Sequence, residues 1–416
     1  MASRIDGTIL VFNQGYLPGF KHGGPVRTLA NLFDRLGDEF RFRLVTSDRD
    51  SGDDAPYPGI PRDRWVRVGN VDVFYASRAS LRARRLLGLV RDARPAALYL
   101  NSFFSPAFTL RPILLRRLGF FRGVPVIVAP RGELSPGALG LKWPKKRAYL
   151  TAARSMGLYS HVIWQASSRE EAAEIGHWFG ADARIVVAPN IPARETGGES
   201  SRGSRIVPDK VPGALRIVFL SRIARKKNLV GALGMLGGLD GCIHFDIYGP
   251  IEDATYWSEC RRVAERLPAS VQVRYRGPVP PSEVGRVFAS YDLFLFPTLG
   301  ENYGHVIIEA LRAGCPVLLS DRTPWRGLAA EGAGWDVPLD DGGRFREILQ
   351  ELVRMDSATH ARWSRGAQAY AERILREDGA VEGHRALFRL ALGATEMASR
   401  GGAAHDGAGR PTAMPL

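Results

Sequence analysis

Cysteine is scarce: the 416 residues contain three, Cys242, Cys260 and Cys315. So few, so scattered, they exclude a disulfide-stapled scaffold and a cysteine zinc site, and read as buried thiols of a reducing compartment. Long apolar runs are missing too. The longest uncharged stretch, 95–110, contains two prolines and an asparagine and cannot span a bilayer. Near the start, residues 7–12 are too short for the apolar core of a secretory signal. A cytosolic protein is expected, at most peripheral on the inner face of the cytoplasmic membrane. Gly-x-Ser-x-Gly and His-Glu-x-x-His are absent, which argues against a nucleophile-elbow hydrolase and a zinc protease. No Gly-x-Gly-x-x-Gly follows a strand, and no Lys-Ser/Thr follows the first glycine loop, so neither a dinucleotide cofactor nor a Walker loop is expected.

Acid is in short supply, and unevenly. Asp and Glu number 43 against 57 Lys and Arg, a net charge of +14. Residues 1–190 hold 28 bases and 16 acids; residues 191–416 hold 29 and 27. Within 111–154 ten bases face one acid, Glu133, and arginines alternate with leucines and phenylalanines. Such a stretch suits an anionic lipid surface through 110–122 and 142–147, or a solvated helix face whose leucines pack on a sheet. No nucleic-acid module accompanies the charge, so nucleic acid is not expected as a partner.

What is present in quantity is alternation. Short runs rich in Val, Ile, Leu and Phe fall at 8–13, 42–48, 97–102, 124–130, 161–167 and 184–190, with helical patterns at 25–36, 81–90, 143–156 and 168–179. Residues 191–214 interrupt this with Gly, Ser, Pro and charge, as a linker would. Strand-like runs resume at 215–222, 243–249, 271–277, 293–298, 316–321 and 334–338, with helices between. Near-continuous apolar strands between helices predict parallel sheets covered on both faces. The fold class expected is α/β: two doubly wound Rossmann-like domains facing across a cleft. The bounds are 1–190, a linker at 191–214, 215–375, a helix at 376–393 crossing back to the first domain, and a disordered tail at 394–416.

In such sheets ligands sit beyond the carboxyl ends of the strands, so chemistry is sought where strands run into loops. In GENYGHVIIEALRAGCPVLLSD a strand ends in a Gly-Glu-Asn turn and a helix begins near Gly304, offering an anion site at its first N–H groups. Glu301 and Glu309 could accept from sugar hydroxyls; the bland alternative is a helix cap and a surface pair. In FLSRIARKKN, Arg222 and Lys227 suit a phosphate chain, whereas Arg225 and Lys226 read as surface charge. In FKHGGPVRTLANL, Gly23 and Gly24 let backbone approach a ligand ahead of a helix. Arg131, Glu133 and Ser135 follow another strand of the first domain and are expected to face the same cleft. No Asp-x-Asp is read at a strand end that would hold a divalent metal with a diphosphate, so no metal is expected; a leaving diphosphate would be met by Arg222, Lys227 and a helix N-terminus.

These motifs in this order resemble the family 4 retaining glycosyltransferases of the GT-B fold, over about residues 8–392. The features that carry the resemblance are HGGPVRTLANL, the strand-end Asn190 of VVAPN, SRIARKKN, YGP at 248–250, RGPVP at 276–280, GENYGHVIIEALRAGCPVLLSD and TPWR at 323–326. The resemblance implies that Glu301 and Glu309 form the Glu-x7-Glu pair, the first by the donor sugar and the second on the ribose diol. Arg222 and Lys227 would hold the diphosphate, with Gly23 and Gly24 near the phosphates. Asn302, Tyr303, Gly304 and His305 would offer backbone N–H groups. The loop at Val279 would contact the base over Gly249. Many relatives carry a histidine where this chain has Arg131, which is kept as a candidate for touching sugar or acceptor. The implied reaction moves a sugar from a UDP- or GDP-sugar to a saccharide or lipid-linked hydroxyl with retention of configuration and without metal. Bacterial exopolysaccharide or lipopolysaccharide synthesis is the expected setting. Two rivals are a UDP-sugar 2-epimerase of the same fold and a catalytically inactive sugar-binding relative. Glu301→Ala is expected to abolish transfer and to leave melting unchanged.

Overall fold

The computed structural model describes residues 5–140, 143–192, 209–376 and 379–403. Among them the first lobe contains β1 (Thr8–Phe12), α1 (Gly24–Leu36), β2 (Arg41–Ser47), β3 (Trp65–Val68), β4 (Val71–Ala76), α2 (Ala83–Ala93), β5 (Ala97–Asn101), α3 (Arg111–Arg117), β6 (Val126–Ala129), α4 (Pro136–Gly140), α5 (Trp143–Ser155), β7 (Ile163–Ala166), α6 (Arg169–Phe179) and β8 (Arg184–Val187). The second contains β9 (Ala214–Leu220), α7 (Leu229–Met235), β10 (Cys242–Tyr248), α8 (Ala254–Ala264), β11 (Val271–Gly277), α9 (Val284–Phe288), β12 (Leu293–Phe296), α10 (His305–Arg312), β13 (Val317–Ser320), β14 (Gly334–Val337), α11 (Gly342–Arg354) and α12 (Ser357–Arg376). A last helix, α13 (Gly379–Ala403), follows.

The central strands TILVF, ALYLN, VIVA, LFLF and VLLS are buried end to end, and strands buried on both faces need helices above and below. The first sheet runs β3-β4-β2-β1-β5-β6-β7-β8 and the second β11-β10-β9-β12-β13-β14. All pairings are parallel except β3 with β4, an antiparallel hairpin closed at Gly69-Asn70. That edge hairpin was not anticipated. Register is set by the apolar strands: Phe12 lies opposite both Val45 and Leu100, and Val218 opposite Phe294. On one face of the first sheet, α2, α3, α5 and α6 bury Leu86, Ile113, Leu115, Leu150 and Ile175 in a common core. On the other face α1 lies beside α13.

Helix α13 leaves the second lobe and packs on the first. Phe388 sits edge-on to Phe40, Phe42 and Tyr99, and Arg385 grips Glu39 at 2.5 Å. It continues to Ala403, ten residues into the segment expected to be irregular. Ala394, Glu396, Met397, Ala398 and Arg400 are strong helix formers, and that propensity outweighs the glycines. Residues 404–416, like 193–208 of the expected linker and Leu141 and Lys142 of the basic stretch, lie outside the described residues. Among the described residues no helix is long and apolar enough to cross a membrane.

Candidate functional site

Among the parallel strands of each sheet the order reverses direction once, between β1 and β5 in the first lobe and between β9 and β12 in the second. Ligand crevices form beyond the carboxyl ends of the strands at such reversals. The glycine loop follows β1, Asn101 ends β5, Arg222 and Lys227 follow β9, and Glu301 to Gly304 follow β12. The two crevices face each other and share a cavity of about 590 Å³. Of the site residues singled out from the sequence, Gly23, Gly24, Arg131, Glu133, Arg222, Lys227, Gly249, Val279, Glu301, Asn302, Tyr303, Gly304, His305 and Glu309 line it, whereas Ser135 does not and donates to the Gly132 carbonyl at 2.9 Å. Lys226, read from sequence as surface charge, lines it too, whereas Arg225 faces outward and pairs with Glu259.

Lys227 and Glu301 form an ion pair, with side chains only 11% and 13% exposed. Burial lowers the ammonium pKa, and Glu301 pulls it part of the way back. Arg222 donates to Glu252 at 2.5 Å. A Cβ on Gly23 would stand 3.6 Å from Arg222 Nε, so the glycine loop and the second lobe's cation are neighbours across the cleft. Gly23 has φ +70°, and its left-handed turn feeds α1 with Pro25 in the first turn. Gly249 is fixed by contact as well as by its φ of +130°: a Cβ there would lie 1.9 Å from the carbonyl oxygen of Ser221, so any side chain pushes β10 off the β9 loop.

Glu309 pairs with Arg27 of α1, and its Oε2 is buried with no hydrogen-bond partner among the described residues. An orphaned carboxylate oxygen in a cavity wall is an acceptor waiting for a donor. His305 opens α10, and its Nε2 shares a 2.7 Å hydrogen bond with Thr28 Oγ1 of the opposite lobe. Burial, with the Arg27 and Arg131 guanidiniums nearby, pushes this imidazole down to about 3, so it is neutral at ordinary pH. Asn302 binds Ser167 across the cleft. Tyr303 stacks edge-on near His305, and its carbonyl accepts from Trp325 Nε1 at 2.5 Å.

Arg131 sits at φ +57°, a strained conformation for a side-chain-bearing residue. Its guanidinium turns into the first lobe, donating to Asn190 at 2.5 Å, Tyr99 at 2.6 Å and Asn101 at 2.5 Å. It thereby braces the loop rather than reaching into open space. Asn101 keeps its own Nδ2 buried in the cavity wall with no hydrogen-bond partner among the described residues. Glu171, unmarked by any motif, is buried and accepts from Gly132 N at 2.6 Å and Ser167 N at 2.7 Å, tying two first-lobe loops together beside Asn302. Glu133 performs the same service for the β5 loop, accepting from the Phe103 and Phe104 N–H groups. One Asp-x-Asp does stand at a strand end, Asp48-Arg49-Asp50. Its carboxylates are engaged locally, Asp48 with Arg49 at 2.8 Å and Asp50 with the Phe20 and Lys21 N–H groups.

Two family models match in sequence: a glycosyl transferase 4-like domain over residues 23–191 and glycosyl transferases group 1 over residues 204–370. The chain belongs to the family 4 glycosyltransferases. Among curated relatives, it is 29% identical over 249 residues to D-inositol 3-phosphate glycosyltransferase of Paenarthrobacter aurescens, covering 50% of this chain and 57% of that one. It is 31% identical over 159 residues to phosphatidyl-myo-inositol mannosyltransferase of Mycobacterium leprae, covering 37% and 41%. The matched region thus spans about half the length of these relatives. Among solved structures, sucrose-phosphate synthase from Thermosynechococcus elongatus superposes with a TM-score of 0.70 at 15% identity, over 94% of this chain and 100% of that one. Anabaena HepE in complex with UDP-glucose superposes with a TM-score of 0.64 at 16% identity, over 92% and 99%. At such identities these likenesses show the shared two-lobed fold alone. The two matched regions of this family 4 chain meet across the cavity just described: the first contributes Gly23, Gly24 and Arg131, the second Arg222, Lys227, Glu301 and Glu309.

Proposed function

We propose that this protein moves a sugar from a nucleoside diphosphate sugar, UDP- or GDP-linked, to a hydroxyl of a saccharide or lipid-linked acceptor, with retention of configuration and without a metal. The observation that carries the reading is the buried Lys227–Glu301 pair beside the N-terminus of α10, in one cavity with the Gly23-Gly24 loop. The diphosphate lies between Lys227, Arg222 and that helix end, whose N–H groups favour an anion. Glu309 offers its free Oε2 to the ribose diol. Val279 and Gly249 border the base, and Glu301 faces the donor sugar.

The C1–O bond to the diphosphate breaks through an oxocarbenium-like state, and the acceptor oxygen bonds C1 on the same face. The acceptor's proton passes to the departing diphosphate, so no enzymic nucleophile is needed. Lys227 and Arg222 are preorganised where negative charge grows, and groups of this kind contribute most to such rates. The Thr28–His305 and Ser167–Asn302 contacts hold the lobes together over the reacting atoms and keep water out. The acid-poor flank of the first lobe favours a large or membrane-borne acceptor, in keeping with surface-polysaccharide assembly at the cytoplasmic membrane.

The test is a melting-shift panel of UDP- and GDP-sugars in EDTA, followed by proton NMR of the product anomer. A donor that raises Tm without metal and yields a product of unchanged anomeric configuration supports the reading. A donor that binds only with a divalent cation, or an inverted product, overturns it.

A further inference from the structure

A second cavity, of about 630 Å³, opens at the other end of the first sheet. Its walls include Arg116, Arg117, Arg122, His161 and Arg184. Pro125 stands just before β6, His161 just before β7, and Arg184 opens β8, so this hollow lies at the amino ends of the strands. The cleft lies at their carboxyl ends, and the two cavities have no residue in common. The Arg116 guanidinium is anchored by the carbonyl of Ser160 at 2.9 Å and that of His161 at 3.4 Å, fixing one wall. Among the described residues no carboxylate pairs with Arg116, Arg117, Arg122 or Arg184. Several exposed arginines elsewhere are matched: Arg225 by Glu259, Arg344 by Glu347, Arg373 by Glu331. From 93 to 169 the sequence offers a single acid, Glu133, and that one is spent inside the cleft.

The rim of this basic hollow is apolar. Leu114 is 49% exposed, Leu118 73%, Phe120 45% and Met156 53%. Leu118 and Phe120 alternate along the chain with the wall residues Arg117, Gly119 and Phe121, and Met156 precedes the wall residue Gly157. Unpaired cations ringed by exposed leucine and phenylalanine match a surface that is anionic outside and apolar beneath. A soluble anion would account for the arginines and leave the apolar rim unexplained.

We propose that this hollow and its rim dock the protein on an anionic phospholipid surface. Arg117, Arg122 and Arg184 take headgroup phosphates, Arg116 holds the wall, and Leu118, Phe120 and Met156 enter the acyl boundary. The flank that carries the hollow continues toward the cleft. Exposed Lys145, Arg147 and Arg154 lie on α5, exposed Trp143 opens it, and Lys146 of the same helix lines the cleft. Laying this flank on the bilayer brings the cleft mouth to the membrane edge. The docking does not rest on the transferase reading, because it is measured without any sugar donor.

The experiment is co-sedimentation of the full chain with vesicles of phosphatidylcholine alone or mixed with phosphatidylglycerol. Binding at least tenfold stronger to the mixed vesicles is expected, falling as sodium chloride rises. Arg117→Glu with Arg122→Glu is expected to cost tenfold or more. Leu118→Ser with Phe120→Ser is expected to weaken vesicle binding while leaving calorimetric binding of glycerol phosphate unchanged. Where the charge-reversed chain melts abnormally, Arg117→Gln with Arg122→Gln and the wild-type salt series carry the same test. Equal binding to both vesicle types, or charge reversal without effect on a normally melting chain, overturns the proposal. So does saturable binding of glycerol phosphate with no vesicle binding, which would make the hollow a site for a soluble anion.

Discussion

Two cavities of similar size, both lined by cations, sit at opposite ends of one sheet and are built on different principles. In the cleft three cations meet carboxylates, Lys227 with Glu301, Arg222 with Glu252 and Arg27 with Glu309, and Arg131 is held by Asn190, Tyr99 and Asn101. At the amino ends of β6 to β8, Arg117, Arg122 and Arg184 meet none among the described residues. A paired cation is held in one geometry and can exchange partners when a diphosphate arrives, which suits chemistry that must be positioned. An unpaired, exposed cation is mobile and heavily screened, which suits adhesion to many phosphates at once. The same residue types therefore imply position in one place and surface charge in the other.

The largest way to break this contrast is to remove the positioned charge. Lys227→Ala should lower kcat by roughly 100- to 1,000-fold, since it deletes a preorganised group aimed at developing negative charge; a continuous assay of nucleotide release reads it. A loss under threefold would show that the pair serves folding alone. Next comes Glu301→Ala. The sequence led us to expect normal melting, but the pair is largely buried, and the variant strands an ammonium. Breaking such a pair costs about 3 kcal/mol. Thermal melting at pH 8 should show a lower Tm, and Glu301→Gln, which keeps a hydrogen bond, should recover part of it.

Acid should act on the interior and spare the outer arginines. His305 in the cleft and His384 of α13 are buried neutral, desolvation pushing them down to about 3 and about 4. An imidazole whose folded value lies below its unfolded value of 6.5 contributes full stability above that value. The contribution is lost as pH falls through 6.5 toward the folded value. For His384 the loss amounts to about 3 kcal/mol between pH 6.5 and 4. Denaturant titrations across that range should show it, and His384→Gln should flatten the slope. The smallest effect is expected at the contact between lobes. Thr28→Val removes the partner of His305 Nε2 and should cost about 1 kcal/mol, read as a modest drop in Tm that is smaller still with donor bound.

The strand–helix alternation was readable because buried parallel strands are apolar throughout, and LFLF or VIVA can be little else. The hairpin of β3 and β4 escaped although VRVGNVDVF carries its signal, alternation around a Gly-Asn turn. It sits on a sheet edge, where half-polar strands look like loop. In the site, strand–turn–helix punctuation placed Gly23, Arg222, Lys227, Glu301 and Glu309 at strand ends. Asn101 could have been found by the same logic, as the one polar residue ending the apolar run ALYLN. Glu171 could not, because its importance is a set of hydrogen bonds to residues 132 and 167, invisible to spacing. Lys226 and Arg225 differ only in which way a short helical turn points them.

Sequence alone determined the two alternating lobes and the loops on which the functional groups sit, because burial periodicity and turn chemistry are local. Tertiary structure alone decided which charges are neighbours. Lys227 and Glu301 are 74 residues apart in the chain, and Thr28 and His305 are 277 apart. Whether a cation is paired or bare depends on which loops the folded sheets bring face to face, and no short-range pattern encodes that.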